Sequence, residues 1–580
     1  MSEKIEITIV MDDEKLNKGK QSEQSNSIKL TQESSMTVMS VLRERKLLSG
    51  SFCGGRGDCG RCLVQFLAGA PLPTGIERSH LEPEELRQGF RLACVTRPKT
   101  DCVIRIPEQD EQEIPIVTEL NPVSQNIDLN GQRNKLSENQ ISFAMKISES
   151  TAEAAGNLNK NVSVISRRKA GVMIAVDLGT TTIAMQLRDM ASGEVIDTYC
   201  ELNPQRPYGA DVLSRIQASC DGHREVLRRL VCETLMRGLR QFAVSPVCMC
   251  IAGNTTMEHL LLGYDVSTLG RSPFTPVEIG LQEMMTSRLF TKSEGVAEEA
   301  DEASLPAGWD FPVYIAPGIS AFVGGDIVAG LYTLQMLPGI FSPCQRDERA
   351  EAGKQESVTL LIDLGTNGEM AITDGKRMLV TATAAGPAFE GGRNGALIGT
   401  DRIALTAELL RQGKLDKTGL LAEPYFSEGV PVEAFDGSIN GRSKETKKST
   451  CYLKQEDIRD LQMAKAAIRA GVEILWEKMG CPEIGMVYLA GGFGYYLDVE
   501  AALAIGLLPE RLRGRIRAVG NTALEGAYRL GRDLAEGILT KSRLEEALAV
   551  TEDGSLHAVN LAKQEGFERL YIQYMNLERN

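Results

Sequence analysis

Two stretches of this chain echo one another. VMIAVDLGTTTIAMQL begins at Val172 and VTLLIDLGTNGEMAI begins at Val358. Each is an apolar strand that runs into an Asp-Leu-Gly-Thr turn and then into another strand. Asp177 and Asp363 fall at matching places in the two copies. A duplicated strand–turn–strand unit predicts two related α/β subdomains that face a shared cleft. Long helical patterns lie between and after the copies, among them REVLRRLVCETLMRGLRQF and LQMAKAAIRAGVEILWEKM, the latter stopped by Gly480.

The chain has 580 residues, too many for one hydrophobic core, so several domains are expected. Residues 1–107 read as a compact strand-and-helix unit. KIEITIV alternates like a strand, MTVMSVLRERK has helical spacing, and RCLVQFLAG and CVIRIP return to strand. This order suits a small β-grasp-like domain. Residues 108–170 are rich in Gln, Asn, Ser and Glu and predict a linker or small middle region. Residues 171–350 and 351–580 then hold the two subdomains, the second carrying a candidate adenosine motif. Polar insertions at 346–355 and from Ser438 predict exposed loops. The fold class is therefore multidomain, α/β and α+β.

A net charge of −14 with no basic half or arm argues against nucleic-acid binding. No run of eighteen or more apolar residues predicts a membrane span, and MSEKIEITIV lacks the design of a signal peptide. The expected setting is a reducing cytoplasm, where clustered cysteines among the chain's 13 point to metal and scattered ones to packing.

The cluster is CGGRGDCGRC, residues 53–62, with Cys94 further on in RLAC. Cys53, Cys59 and Cys62 share one Gly-rich loop that lets backbone wrap closely around sulfur, and a fourth thiolate arrives from elsewhere. Four thiolates suit a 2Fe–2S cluster. Tetrahedral zinc is the competitor, but structural zinc favours two short Cys-x2-Cys pairs. Cys102 reads as a spare, structural or a substitute ligand.

In DLGTTT, backbone N–H groups around Gly179 form a concave anion site, and Thr180, Thr181 and Thr182 add hydroxyl donors. Asp177 is placed to hold Mg2+ directly or through water. Asp363, Gly365, Thr366 and Asn367 offer the same chemistry from the opposite side. VYLAGGFGYYLD at Val487 supplies Gly491, Gly492, Phe493 and Gly494, candidates for backbone lying against adenine or ribose. No Walker loop is present, so this is not P-loop chemistry.

The first hundred residues resemble 2Fe–2S ferredoxins of the β-grasp type, which implies Cys53, Cys59, Cys62 and Cys94 as ligands and a one-electron role. The two turns and the glycine segment, in this order, resemble the acetate-kinase/sugar-kinase/Hsc70/actin ATPase superfamily. That resemblance implies two ribonuclease-H-like subdomains closing over Mg-ATP. NPQRPYGADVLSRI, IAGNTTMEHLLLG, APGISAFVGGDIVAGLY and AAGPAFEGG are similar to the reductive activators of corrinoid proteins. By that resemblance the chain would use ATP to reduce Co(II) to Co(I) in a corrinoid protein of a methyltransferase system. It would draw electrons from a low-potential donor, and related activators suggest a homodimer.

Several residues carry two readings. Asp326, in VGGDIV, sits near the γ-phosphate and metal or caps the helix that follows. Glu390 is a cleft carboxylate or a helix start, and Gly253, Asn254 and Thr255 line the cleft or make a turn. The 4 histidines are dispersed, and His259 reads as helical packing or surface. Cys248 and Cys250 read as buried strand residues. Three rivals stand beside the corrinoid reading: a small-molecule kinase with a redox-sensing domain, an activator of another metalloenzyme, and a plain electron carrier.

Overall fold

The computed structural model describes residues 4–10, 27–45, 47, 57, 60, 62–107, 118, 171–291, 308–341, 357–365, 367–384, 389, 399–432, 452–550 and 555–578. The linker 108–170 apart from Thr118, both polar insertions, Cys53, Cys59, Thr366 and Glu390 lie outside them.

The amino-terminal unit is one five-stranded sheet crossed by a helix. Lys4–Val10 forms a strand because its isoleucines alternate: Ile5, Ile7 and Ile9 are buried and the residues between them are not. It pairs antiparallel with Ser27–Glu33 and parallel with Cys102–Arg105. Leu63–Ala68 pairs antiparallel with both Cys102–Arg105 and Phe90–Leu92. The helix Val38–Glu44 places Val38, Met39 and Leu42 against Ile7, Ile9, Val64, Phe66 and Ile104. This is the β-grasp arrangement expected from the sequence.

The duplicated sequence gives a duplicated fold. Val172–Leu178 pairs antiparallel with Thr182–Asp189, which pairs antiparallel with Val195–Leu202. On its other side it runs parallel to Cys248–Gly253, followed by Pro312–Ile315. In the second sheet Val358–Leu364 pairs antiparallel with Asn367–Thr373 and then Met378–Ala384. Its other side runs parallel to Ile484–Ala490, followed by Ile516–Gly520. The sheets differ in their outermost strands, Gln282–Met285 in the first and Leu556–Ala558 in the second. Both central strands are buried almost throughout, as strands covered on both faces must be. Asp177 and Asp363 are partly buried positions at their carboxyl ends, where open α/β sheets place ligands.

The two halves share a core. Met173, Cys250, Val328 and Leu331 from the first pack with Leu361, Val380, Leu524 and Ala527 from the second. Two helices cross at this joint, Gly325–Thr333 and Thr522–Ala535. Their approach is close enough that a Cβ on Gly526 would lie 2.1 Å from the Ala329 carbonyl oxygen, and one on Gly330 would lie 2.9 Å from Thr522 Oγ1. Glycine at both positions lets the backbones meet. No described helix is long and apolar enough to cross a membrane.

Candidate functional site

The first turn is held from three directions. Asn203 Nδ2 donates to the Gly179 carbonyl (2.8 Å), and the Asn203 backbone N–H donates to the Thr181 carbonyl (2.8 Å). The buried Arg215 donates to the Thr180 carbonyl, to Gln205 Oε1 and to the Gly209 carbonyl. NPQRPYGADVLSRI is thus the brace of the turn. Asn254 Nδ2 donates to Thr180 Oγ1 (2.9 Å), and Asn521 Nδ2 donates to Asp177 Oδ2 (2.7 Å). Gly179 has no room for a side chain, since a Cβ there would lie 2.6 Å from the Thr182 carbonyl oxygen.

The second turn is tighter. Gly365 N–H donates to the Asn367 carbonyl (2.9 Å), and Asp363 stands directly across the ladder from Glu369. Opposed like charges cost stability unless something binds them. Gly491 has φ +81°, and a Cβ there would lie 2.5 Å from Asp363 Oδ1, so the glycine segment presses on the second aspartate. Phe493 stacks on the buried Phe389 with ring centroids 4.6 Å apart. Gly492 is exposed, whereas Gly494 is buried against Leu489, away from the role expected of it.

Asp326 lies in the first turn of Gly325–Thr333, but Gly324 occupies the N-cap, and Asp326 Oδ1 accepts the adjacent Ile327 N–H (2.8 Å). Its carboxylate is electrostatically linked to Asp177, Asp363, Glu369 and Glu258. Burial, above all, raises Asp177 to about 6, against the hydrogen bond from Asn521. Burial raises Asp326 to about 7, with a further push from Asp177. Asp363 also rises to about 7, from burial and then from Asp326 and Asp177. Glu369 and Glu258 stand well above the ordinary carboxyl range, from burial and from Asp326.

Among the described residues, the groups that favour the charged forms of these five acids are amides and backbone N–H donors, without a lysine or arginine. Such a cleft gains from a hard divalent cation. No three described His, Cys, Asp or Glu side chains form a ready chelate. The oxygen donors here fit Mg2+, which keeps several waters and takes substrate phosphates as ligands.

In the amino-terminal unit the register Leu63↔Leu92 and the bond from Ala93 N–H to the Cys62 carbonyl (2.8 Å) set Cys62 opposite Ala93, the neighbour of Cys94. Both cysteines are buried. Gly57 (φ +88°) faces Ile76 and Val95, and Gly60 (φ +68°) faces His80, so these two glycines lie against the helix Gly75–His80 and its surroundings. These features fit a thiolate-held cluster. Cys102 is a packing residue: it sits in the sheet opposite Ile7, and burial raises its thiol to about 11.

Residues 23–99 match the model of the 2Fe-2S iron-sulfur cluster binding domain. Residues 172–338 match the RACo middle region, and 357–580 the C-terminal domain of RACo, the ASKHA domain. The chain belongs to the RACo family. Two curated relatives agree. The corrinoid activation enzyme RamQ of Eubacterium limosum is 29% identical over 418 residues, 62% of this chain and 65% of that protein. The [Co(II) methylated amine-specific corrinoid protein] reductase of Methanosarcina barkeri is 23% identical over 441 residues, 69% of this chain and 76% of that protein. The chain thus spans just under two thirds of the RamQ sequence. A solved structure of a reductive activator for corrinoid, iron-sulfur protein aligns over 99% of this chain and 98% of its own, with TM-score 0.54 and 23% identity, a likeness of fold.

Several residues of this RACo-family site carry no separate sequence expectation: Asn203, Arg215, Glu258, Glu369 and Asn521. One signal points to two of these, Glu258 and Asn521, and to Asn254. Gly-Asn-Thr-x-x-Glu occurs twice, at Gly253–Glu258 and Gly520–Glu525, each time between a strand and a helix. His259 and the strand cysteines are packing, as expected. His259 Nδ1 lies 2.7 Å from the Thr255 carbonyl while Nε2 accepts from Val277 N–H (3.1 Å), which fixes a neutral tautomer.

Proposed function

We propose that this protein couples ATP hydrolysis to one-electron reduction of Co(II) to Co(I) in a corrinoid protein of a methyl-transfer system. The observation that carries this reading is a group of carboxylates gathered around Asp326 where two like halves meet, on the same chain as a 2Fe–2S domain.

Cys53, Cys59, Cys62 and Cys94 would hold the cluster. When bound, a 2Fe–2S centre of the plant ferredoxin type supplies one electron at about −400 mV. Each ~59 mV by which the acceptor lies lower cuts the reduced product tenfold, so delivery to Co(II) needs an energetic pull. Asp177, Asp326 and Asp363 would position Mg2+ and the attacking water. Gly179, Thr180, Thr181 and Thr182 on one side, and Gly365, Thr366 and Asn367 on the other, would grip phosphate oxygens. Gly491, Gly492 and Phe493 would flank the nucleoside.

Closure of the cleft around Mg-ATP would change the affinity for the corrinoid partner, the requirement for any such coupling. A low-potential electron donor, a cytoplasmic setting and a homodimeric assembly complete the reading. Asp177→Ala tests it: the purified variant should keep its ferredoxin-like visible spectrum and lose at least about 100-fold in ATP turnover. Wild-type turnover in that variant would remove the cleft from the account.

A further inference from the structure

The twin Gly-Asn-Thr-x-x-Glu segments place two helix-capping asparagines against one turn. Asn254 Oδ1 accepts Met257 N–H (3.0 Å) at the start of Thr255–Leu262, while its Nδ2 reaches Thr180 Oγ1. Asn521 Oδ1 accepts Leu524 N–H (2.8 Å) at the start of Thr522–Ala535, while its Nδ2 reaches Asp177 Oδ2 across the joint between the halves. Asp, Ser and Thr cap a helix about as well as Asn. Of these four, Asn alone offers an amide N–H as well as an acceptor. The side chain therefore does something a cap does not require.

The helix behind Asn521 is tightly keyed to the other half. Arg188 pairs with Glu525 (2.6 Å) and lies over the Tyr528 ring at 4.0 Å. Tyr528 OH donates to the Met190 carbonyl (3.3 Å). Gly526 lies against the Ala329 backbone. A small displacement of Asp177 thus reaches, through one amide, a helix whose packing admits little sliding.

We propose that Asn521 is a positioning residue that ties Asp177 to the helix Thr522–Ala535 and so transmits nucleotide occupancy of the first turn to the joint between the halves. This rests on the ATP reading above and adds its route of transmission.

The test uses the full, cluster-loaded chain with Asn521→Ser and Asn521→Asp, which keep a cap and lose the amide N–H that reaches Asp177. Hydrogen exchange of the 522–535 peptide is followed with and without Mg-AMPPNP, alongside ATP turnover. In the wild type, Mg-AMPPNP should slow exchange of this peptide. Both variants should bind Mg-AMPPNP, show less than a third of that change, and lose about tenfold or more in kcat with a smaller effect on KM. If the serine variant is unstable, Asn521→Thr, which keeps a hydroxyl cap without adding charge beside Asp177, decides in its place. Variants with a wild-type exchange response, or with lower thermal stability but unchanged kcat, would reduce Asn521 to a cap and overturn the inference while leaving the ATP reading intact. A wild type that ignores Mg-AMPPNP in calorimetry overturns both.

Discussion

Single side chains set the chemistry here through what surrounds them. Asp177, Asp326 and Asp363 have pKa values pushed to about 6 to 7 because burial and mutual repulsion disfavour charge, and a bound cation reverses that balance. Lys465 shows the same physics at a site distant in purpose. It is fully buried, donates to the Asn576 carbonyl, and has its pKa lowered to about 7 by burial and then by Arg469. Between that value and its ordinary 10.5 the unfolded chain binds a proton that the folded chain does not. Stability therefore rises with pH across this window, by at most about 1.4 kcal/mol per unit from this group. Lys465→Met should flatten the rise. Urea unfolding read by tryptophan emission from pH 7 to 10 checks it, and an unchanged slope would mean that Lys465 stays charged in the fold.

Strands and turns were the most legible elements, and the reason is local. An apolar run that stops at Asp-Leu-Gly-Thr states its own boundaries, so both central strands and both aspartates could be placed from sequence. Cross-strand and cross-domain partners could not. Glu369 meets Asp363 because of the register that the short second turn imposes, and the equivalent place opposite Asp177 holds Ala184. Arg215 reaches Thr180 over 35 residues and Asn521 reaches Asp177 over 344, distances at which a single sequence carries no periodic signal. The cap reading of Asp326 gave way to Gly324 because the helix starts at Gly325, two residues before its apolar stripe begins at Ile327. The crossing helices yield a prediction at this scale. Gly526→Val would drive a side chain into the Ala329 carbonyl, 2.1 Å from the Cβ position. It should cost at least about 1–3 kcal/mol and lower ATP turnover, measured by thermal denaturation and hydrolysis together. A variant as stable as the wild type would show that the helices can part without loss.

At the scale of the molecule, one chain joins a 2Fe-2S cluster binding domain to a pair of like halves. Arg43, on the helix of the first unit, lies over the ring of Tyr208 at 5.1 Å, and Tyr208 belongs to the segment that braces the first turn. A change at that turn thus has a short path to the unit that bears Cys62 and Cys94. In the proposed cycle, the shared core and the two crossing helices would be the joint that registers closure of the halves. Division of labour between these parts is the central claim: the cysteine loop delivers the electron, and the cleft makes an uphill delivery proceed. The most direct measurement mixes the reduced protein with a Co(II) corrinoid protein anaerobically and follows cobalt absorption with and without Mg-ATP. Co(I) should accumulate only when Mg-ATP is present, with hydrolysis stimulated by the corrinoid protein. Equal Co(I) with and without nucleotide, or none in either case, would contradict the account.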